Sequence, residues 1–142
     1  MSTKAFAGVG TVFSRKNPIS EEYEAIAEIN DIGGPERTRQ VIDATSLDSE
    51  GGYREFITGF RDGGNVTLNM NFTAASYEKF DDDFDADDPR SYRIELPDDD
   101  ETVIDFDGLV TDTPLSIAAD DKVTVRVTLK VTGPTIFSRT SA

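Results

Sequence analysis

Residues 41–60, VIDATSLDSEGGYREFITGF, decide how the rest of the chain is read. Val41 and Ile42 end one apolar run, and Tyr53, Phe56, Ile57 and Phe60 belong to the next. Between them stand Thr45, Ser46, Asp48, Ser49, Gly51 and Gly52, residue types that build turns. Gly51-Gly52 allows positive φ where the chain reverses. Two strands joined by a long, ordered connection follow from this pattern. Leu47, however, is an apolar residue with no local core to enter. An isolated hairpin is only marginally stable in water, so an arm of this kind needs something to lie against. Pattern alone leaves two readings level: an ordinary surface hairpin, or an arm that docks on another subunit.

Outward from the arm, alternation takes over. In residues 64–73, Val66, Leu68, Met70 and Phe72 alternate with Thr67, Asn69, Asn71 and Thr73. This is the period of a strand with one dry and one wet face. Residues 90–96 alternate Tyr92, Ile94 and Leu96 with Ser91, Arg93 and Glu95. Residues 101–110 set Ile104, Phe106 and Val110 against Asp105 and Asp107. Residues 122–132 set Val123, Val125, Val127, Leu129 and Val131 against Lys122, Thr124, Arg126, Thr128 and Lys130. Gly133-Pro134 is expected to stop that strand, leaving 135–142 as an arm that pairs elsewhere. Residues 115–118 suggest a short edge segment, and 10–14 a first short strand.

Residues 74–84 switch period. Tyr77, Phe80 and Phe84 fall on one face of a helix, with Thr73 as its N-cap. Residues 20–32 read two ways. Ser20 can cap a helix bearing Tyr23, Ile26, Ala27 and Asn30, or Tyr23, Ala25, Ala27 and Ile29 can share one face of a strand.

Residues 81–88 hold six aspartates, with Asp81, Asp83 and Asp85 at alternating spacing, as at the start of a calcium loop. Ala86 stands where that loop requires Gly, and Tyr92 where it requires a bidentate Glu. The expectation is therefore a solvated acidic helix end whose acids are mobile and replaceable, with no metal ligand assigned.

Composition narrows function. The 142 residues carry 28 acids against 14 bases, a net charge of −14, with 37% hydrophobic residues. This is enough for a real core, and one domain is the simplest division. So acidic a chain is not built to grip phosphates by counterion release. His, Cys and Trp are all absent. An ordinary zinc site, a Ser-His-Asp triad and a Cys nucleophile are thereby excluded. The Asp-rich turn at 98–100 comes with no nucleophile or phosphate loop, so no catalytic residue and no cofactor are assigned. No apolar run approaches the ~18 residues that span a membrane. MSTKAFAGVGTVFSRK, residues 1–16, lacks the apolar core of a signal peptide, so a protein made in the cytoplasm is expected.

The run Asp43-Ala44-Thr45-Ser46-Leu47-Asp48-Ser49, followed by Gly51-Gly52-Tyr53-Arg54-Glu55, resembles the hairpin of major tail tube proteins of long-tailed, non-contractile phages and of related gene transfer agents. The similarity continues through 64–73 and 89–133. It implies a mainly β fold: a small antiparallel β-sandwich or barrel with one α-helix. It favours strand over helix for 20–32, and strand is what we expect there. Residues 1–142 are expected to be a single tail-tube domain with hairpin arm 41–60 and helix 74–84, and without the immunoglobulin-like domain that some relatives append.

The resemblance further implies homo-hexameric rings stacked around a DNA channel, with a tape-measure protein, a tail terminator and tail-tip proteins as partners. The location implied is the virion tail, after assembly in the host bacterial cytoplasm. Thr45, Ser46, Leu47, Asp48, Ser49, Glu50, Gly51, Gly52, Tyr53, Arg54 and Glu55 are then the expected contact between rings. The wet faces supply the expected channel lining: Thr67, Asn69, Asn71, Arg93, Glu95, Asp105, Asp107, Thr124, Arg126 and Thr128. DNA passes such a lining without specific binding. The competing reading is a stand-alone acidic β-sandwich that binds a ligand or calcium.

Overall fold

The computed structural model describes residues 8–139, and its strands lie where the alternation placed them. Ten strands and one helix follow in order: β1 (Val12–Lys16), β2 (Tyr23–Ala25), β3 (Ile29–Gly33), β4 (Thr38–Asp43), β5 (Phe56–Asp62), β6 (Asn65–Asn71), α1 (Ala74–Asp85), β7 (Arg90–Glu95), β8 (Thr102–Asp112), β9 (Leu115–Ser116) and β10 (Thr124–Arg139). The main sheet runs β2-β1-β7-β8-β10-β6-β3, antiparallel throughout, with β9 beside β10. β4 and β5 pair only with each other.

The expected strand over 20–32 is β structure, but it is split. β2 and β3 lie at opposite ends of the sheet order, with residues 26–28 between them. Four peptide steps span at most about 15 Å. The sheet must therefore roll until its two edges nearly meet. The link itself closes the seam: Ile26 donates its N–H to Phe13 of β1, and Glu28 accepts from the N–H of Asn71 in β6. Ile26 is buried at this junction, and Glu28 takes φ +59° to turn the chain. A rolled sheet of this kind solves the edge problem that an open one leaves exposed.

The core is the inner face of that roll. Val66, Leu68 and Met70 of β6 meet Leu129, Val127 and Val125 of β10 in direct register, all essentially inaccessible to solvent. Phe13, Tyr92 and Phe106 stack across β1, β7 and β8, with ring centroids 5.6–6.4 Å apart. Each such pair adds about 0.5–1.5 kcal/mol beyond its area.

α1 covers one opening. The Thr73 side chain accepts from the Ser76 N–H, as its N-cap role requires. The helix is rotated from the expected face: Ser76, Phe80 and Asp83 are buried, Tyr77 is partly buried against the Phe72 ring, and Phe84 is half exposed.

The C-terminal expectation fails. Gly133-Pro134 does not end the strand; β10 continues to Arg139, with a register shift between Thr132 and Ile136 against β8. A bulge leaves ladder positions unpaired, so Pro134 sits there at no hydrogen-bond cost, and Gly133 adopts φ +77°. Residues 1–7 of the first segment and 140–142 of the supposed terminal arm lie outside the described residues.

Candidate assembly surfaces

The loop joining β4 to β5 is closed by its own side chains. Asp43 Oδ1 accepts the Thr45 N–H at 2.8 Å, and Thr45 Oγ1 accepts the Glu55 N–H at 2.8 Å. The Ala44 N–H donates to the Glu55 carbonyl at 2.8 Å. Ser49 Oγ accepts from the Ser46 N–H at 3.0 Å and donates to the Glu55 carboxylate at 3.2 Å. The hydrogen bonds from Thr45 hold the Asp43 carboxyl below its ordinary pKa. Glu50–Gly52 forms a short 3-10 turn with Gly51 at φ +68° and Gly52 at φ +73°. A side chain at Gly51 would be strained by that φ and would press on the Tyr53 ring.

The eleven contact residues expected from the sequence thus divide. Thr45, Ser49 and Glu55, joined by Asp43, are the clasp. Leu47 and Tyr53 are the display, fully and largely exposed, with Ser46, Glu50, Gly52 and Arg54 around them on the surface. Asp48 and Gly51 are exposed as well, Ser49 is the one partly covered residue of the eleven, and Arg54 reaches Asp43 at 3.4 Å.

Both faces of the β4–β5 ribbon are apolar. Ile42 pairs with Ile57 on one face, Val41 and Phe56 lie on the other, and Phe60 falls at the register shift between Thr58 and Arg61. All are exposed: Val41 by 62%, Ile42 by 41%, Phe56 by 56%, Ile57 by 55% and Phe60 by 87%. The core ends where the ribbon begins, so nothing in the described residues covers either face.

The expected lining residues are all on the solvent side of the roll, but as two patches. Thr67, Asn69 and Asn71 of β6 stand in direct register with Thr128, Arg126 and Thr124 of β10. Asn69 reaches Asp31 and Asn71 accepts from Asn30 of β3, while Arg126 has no ion pair among the described residues. Arg93 and Glu95 of β7 lie beside Asp105 and Asp107 of β8. Here Arg93 Nε donates to Asp105 at 2.7 Å and its guanidinium lies 4.0 Å above the Tyr23 ring. Asp107 accepts from Ser91 and pairs in register with Thr132, whereas the first patch ends at Thr128 of the same strand. The patches are therefore offset along β10, with Lys130 between them.

The acidic helix end departs from expectation at one residue. Asp83 is neither mobile nor solvated: it is 3% exposed. Arg15 Nε and its NH2 group each donate to it at 2.7 Å, one to each carboxylate oxygen. The Tyr92 hydroxyl donates at 2.7 Å, and Arg90 Nε lies 3.5 Å away. Hydrogen bonding to Asp83 raises the Arg15 pKa against the opposing effect of burial. Burial, then the Asp83 charge, pushes the Tyr92 hydroxyl far above its ordinary 10.0. A buried acid was invisible among five identical neighbours, because its partner Arg15 is 68 positions away.

No curated protein matches the sequence significantly. Among solved structures, the chain is similar to the tail of an empty gene transfer agent particle refined with C6 symmetry, at 19% identity and TM-score 0.76, covering 94% of this chain and 99% of that one. It is similar to a chain in the sheath/tube terminator structure of an extracellular contractile injection system, at 16% identity and TM-score 0.74, covering 97% and 99%. The SPP1 tail tube matches at 10% identity and TM-score 0.71, covering 97% and 81%. These likenesses share a rolled β fold. The model of the lambda phage tail tube protein family matches residues 4–138, and with nearly the whole chain so accounted for, the protein belongs to that family and is a structural tail tube subunit.

Proposed function

We propose that this chain is one tube domain that assembles as homo-hexameric rings, and that the rings stack through the 41–60 hairpin. The observation that carries the reading is the two-faced apolar ribbon with Leu47 at its tip. A strand pair that is apolar on both faces needs cover on both sides. A single copy leaves it bare, whereas a stack of rings can enclose it. The internal clasp keeps the tip ordered before contact, which lowers the entropy lost on docking. Burying one Leu contributes about 1.5–3 kcal/mol, repeated at every subunit of a ring. Exposed charge pairs such as Arg54–Asp43 are worth at most about 1 kcal/mol.

The role is structural and not catalytic. The two polar patches, led by Thr67, Asn69, Asn71, Thr124, Arg126 and Thr128, line the channel. Their cations are two, Arg93 paired with Asp105 and Arg126 without an ion pair among the described residues, too few for DNA to be held by specific binding. A tape-measure protein, a tail terminator and tail-tip proteins complete the assembly, which takes place in the host bacterial cytoplasm before the tube joins the virion tail.

Six copies carry about −84 in all, so repulsion opposes association at low salt and weakens as the screening length falls to about 10 Å at 0.1 M. Negative-stain microscopy of concentrated protein across salt is the test. Rings or tubes are expected, and Leu47→Asp or removal of residues 46–50 should leave a folded monomer that makes none. Tubes of normal length from the Leu47→Asp variant would falsify the stacking role. Outright unfolding of that variant would place Leu47 in the monomer's own core.

A further inference from the structure

We infer that Arg37, Arg39 and Arg61, at the base of the arm, form a docking site for the acidic helix end 81–88 of a second copy. The inference rests on the tube reading above and names one contact within it.

The observation is an imbalance. Among the described residues, most cations are engaged in ion pairs within 4 Å: Arg15, Arg54, Lys79, Arg90, Arg93, Lys130 and Arg139. Three of the cations without one converge on a single cleft of about 660 Å³ between the arm and the β10 bulge. Arg39 and Arg61 stand directly opposite each other across β4 and β5. Like charges in that position destabilise a ladder. Arg37 makes only a long contact of 3.4 Å with Thr135. The one acid lining the cleft, Asp62, is already held by Lys130 at 3.0 Å and by the Gly64 N–H. In a chain of net charge −14, three arginines left together without a counter-ion call for an anion from outside.

The same chain carries the complement. Among the described residues Asp81, Asp82, Asp85, Asp87 and Asp88 have no cation within ion-pair distance, and of the six aspartates Asp83 alone is spent on Arg15 and Arg90. The topology places both clusters at one end of the roll. Arg90, just after the acidic run, pairs with Gly108, Gly108 pairs with Val131, and the Val131 N–H donates to Gly64, two residues beyond Asp62. Three strand spacings, about 14 Å along the sheet, lie between Arg90 and Gly64. Among the described residues no ion pair joins the two clusters within one copy. A head-to-tail contact joins different patches of neighbouring copies, and here it can satisfy both clusters at once.

The test uses charge exchange in the full chain at 150 mM salt. R39E/R61E is exposed and should melt like the wild type, yet need at least about a tenfold higher concentration to assemble. D85K/D87K/D88K should fail in the same way. Mixed one to one, the two variants should assemble again, because alternation around an even-numbered ring makes every such contact complementary. Native mass spectrometry should then find three copies of each. Assembly of R39E/R61E at the wild-type concentration, or a mixture that does not recover, overturns the inference. So does DNA retardation by the wild type that R39E/R61E loses while assembly is unchanged, which gives the arginines to nucleic acid. A wild type that never self-associates overturns the tube reading and this contact together. A wild type that forms tubes alongside an unaffected R39E/R61E overturns the contact alone.

Discussion

Asp83→Asn tests whether the acidic helix end is anchored or merely solvated. The carboxylate takes both donors of one Arg15 edge and the Tyr92 hydroxyl, with side-chain exposure of 0% for Asp83 and 6% for Arg15. At that burial solvent screening is much weaker than for a surface pair. The amide removes the charge and turns one acceptor into a donor aimed at Arg15. Arg15 is then buried as a cation whose nearest anion is gone. Breaking one side of a buried pair costs about 3–5 kcal/mol. For a chain of this size 1 kcal/mol shifts the melting temperature by about 3–4 °C, so a fall on the order of 10–15 °C is expected. Thermal unfolding by circular dichroism at pH 7, with a urea titration for the free energy, reads it. The triple replacement Arg15→Met, Asp83→Leu and Tyr92→Phe, which also removes the hydroxyl that Asp83 accepts from, should recover part of the loss, since apolar groups of similar volume commonly substitute for buried ion pairs. A loss below about 1 kcal/mol in Asp83→Asn would refute the anchoring argument and return the residue to the solvated run.

Two further outcomes follow from the same geometry. The Tyr92 pKa is raised in the fold, so folding favours its protonated form; stability is fully present below the unfolded value of 10.0 and is lost as pH rises beyond it, by up to about 1.4 kcal/mol per pH unit. Urea melts between pH 9 and 12 should show that decline, and Tyr92→Phe should flatten it without abolishing it, because Tyr23 is shifted in the same direction. Gly64→Ala should destabilise by more than about 2 kcal/mol, since Gly64 has φ +71° and a Cβ there meets the backbone carbonyl of Glu36; a variant melting within a degree or two of wild type would show that the turn relaxes freely.

Periodicity reports whether one face of a segment is dry, and it did so for the central strands of the roll. The alternation of Val66, Leu68 and Met70, and of Val125 through Val131, is the alternation of buried positions in β6 and β10. Thr73 announced its helix because a cap is a local hydrogen bond. The features that escaped depend on residues far apart in the chain. Closure of the roll by residues 26–28 depends on β1 and β6 being within reach, and no local pattern carries that. The run through Gly133-Pro134 depends on β8 lying alongside to hold the strand across its bulge. Asp83 depends on Arg15, and its ion pair turns the buried face of α1 towards Ser76 and Asp83, away from the face that Tyr77, Phe80 and Phe84 suggested. At the arm the sequence showed the turn and the stray Leu47. It did not show that Thr45, Ser49 and Glu55 face inward as a clasp, because turn-forming residues look alike whether they bind the loop or a partner.

The division of labour between roll and arm has a physical reason. The roll closes its own seam around a continuous buried core, although Ile136 and Phe137 near the end of β10 are exposed, so most of its stability comes from contacts within one copy. The arm has the opposite balance: its apolar residues are exposed and its ladder is two strands wide. Two strands alone are marginal in water, and opposed arginines at the base weaken the ladder further. On the stacking proposed for the arm, a weak ribbon on a stable base costs the monomer little and leaves the apolar area free to drive association. A net charge of −14 then works against premature contact. Assembly must overcome a long-range repulsion that salt screens, and gains a short-range apolar contact that salt does not weaken. Growth of such a tube should therefore be steeply dependent on concentration and favoured by moderate salt, while unfolding of the roll stays nearly indifferent to the arm.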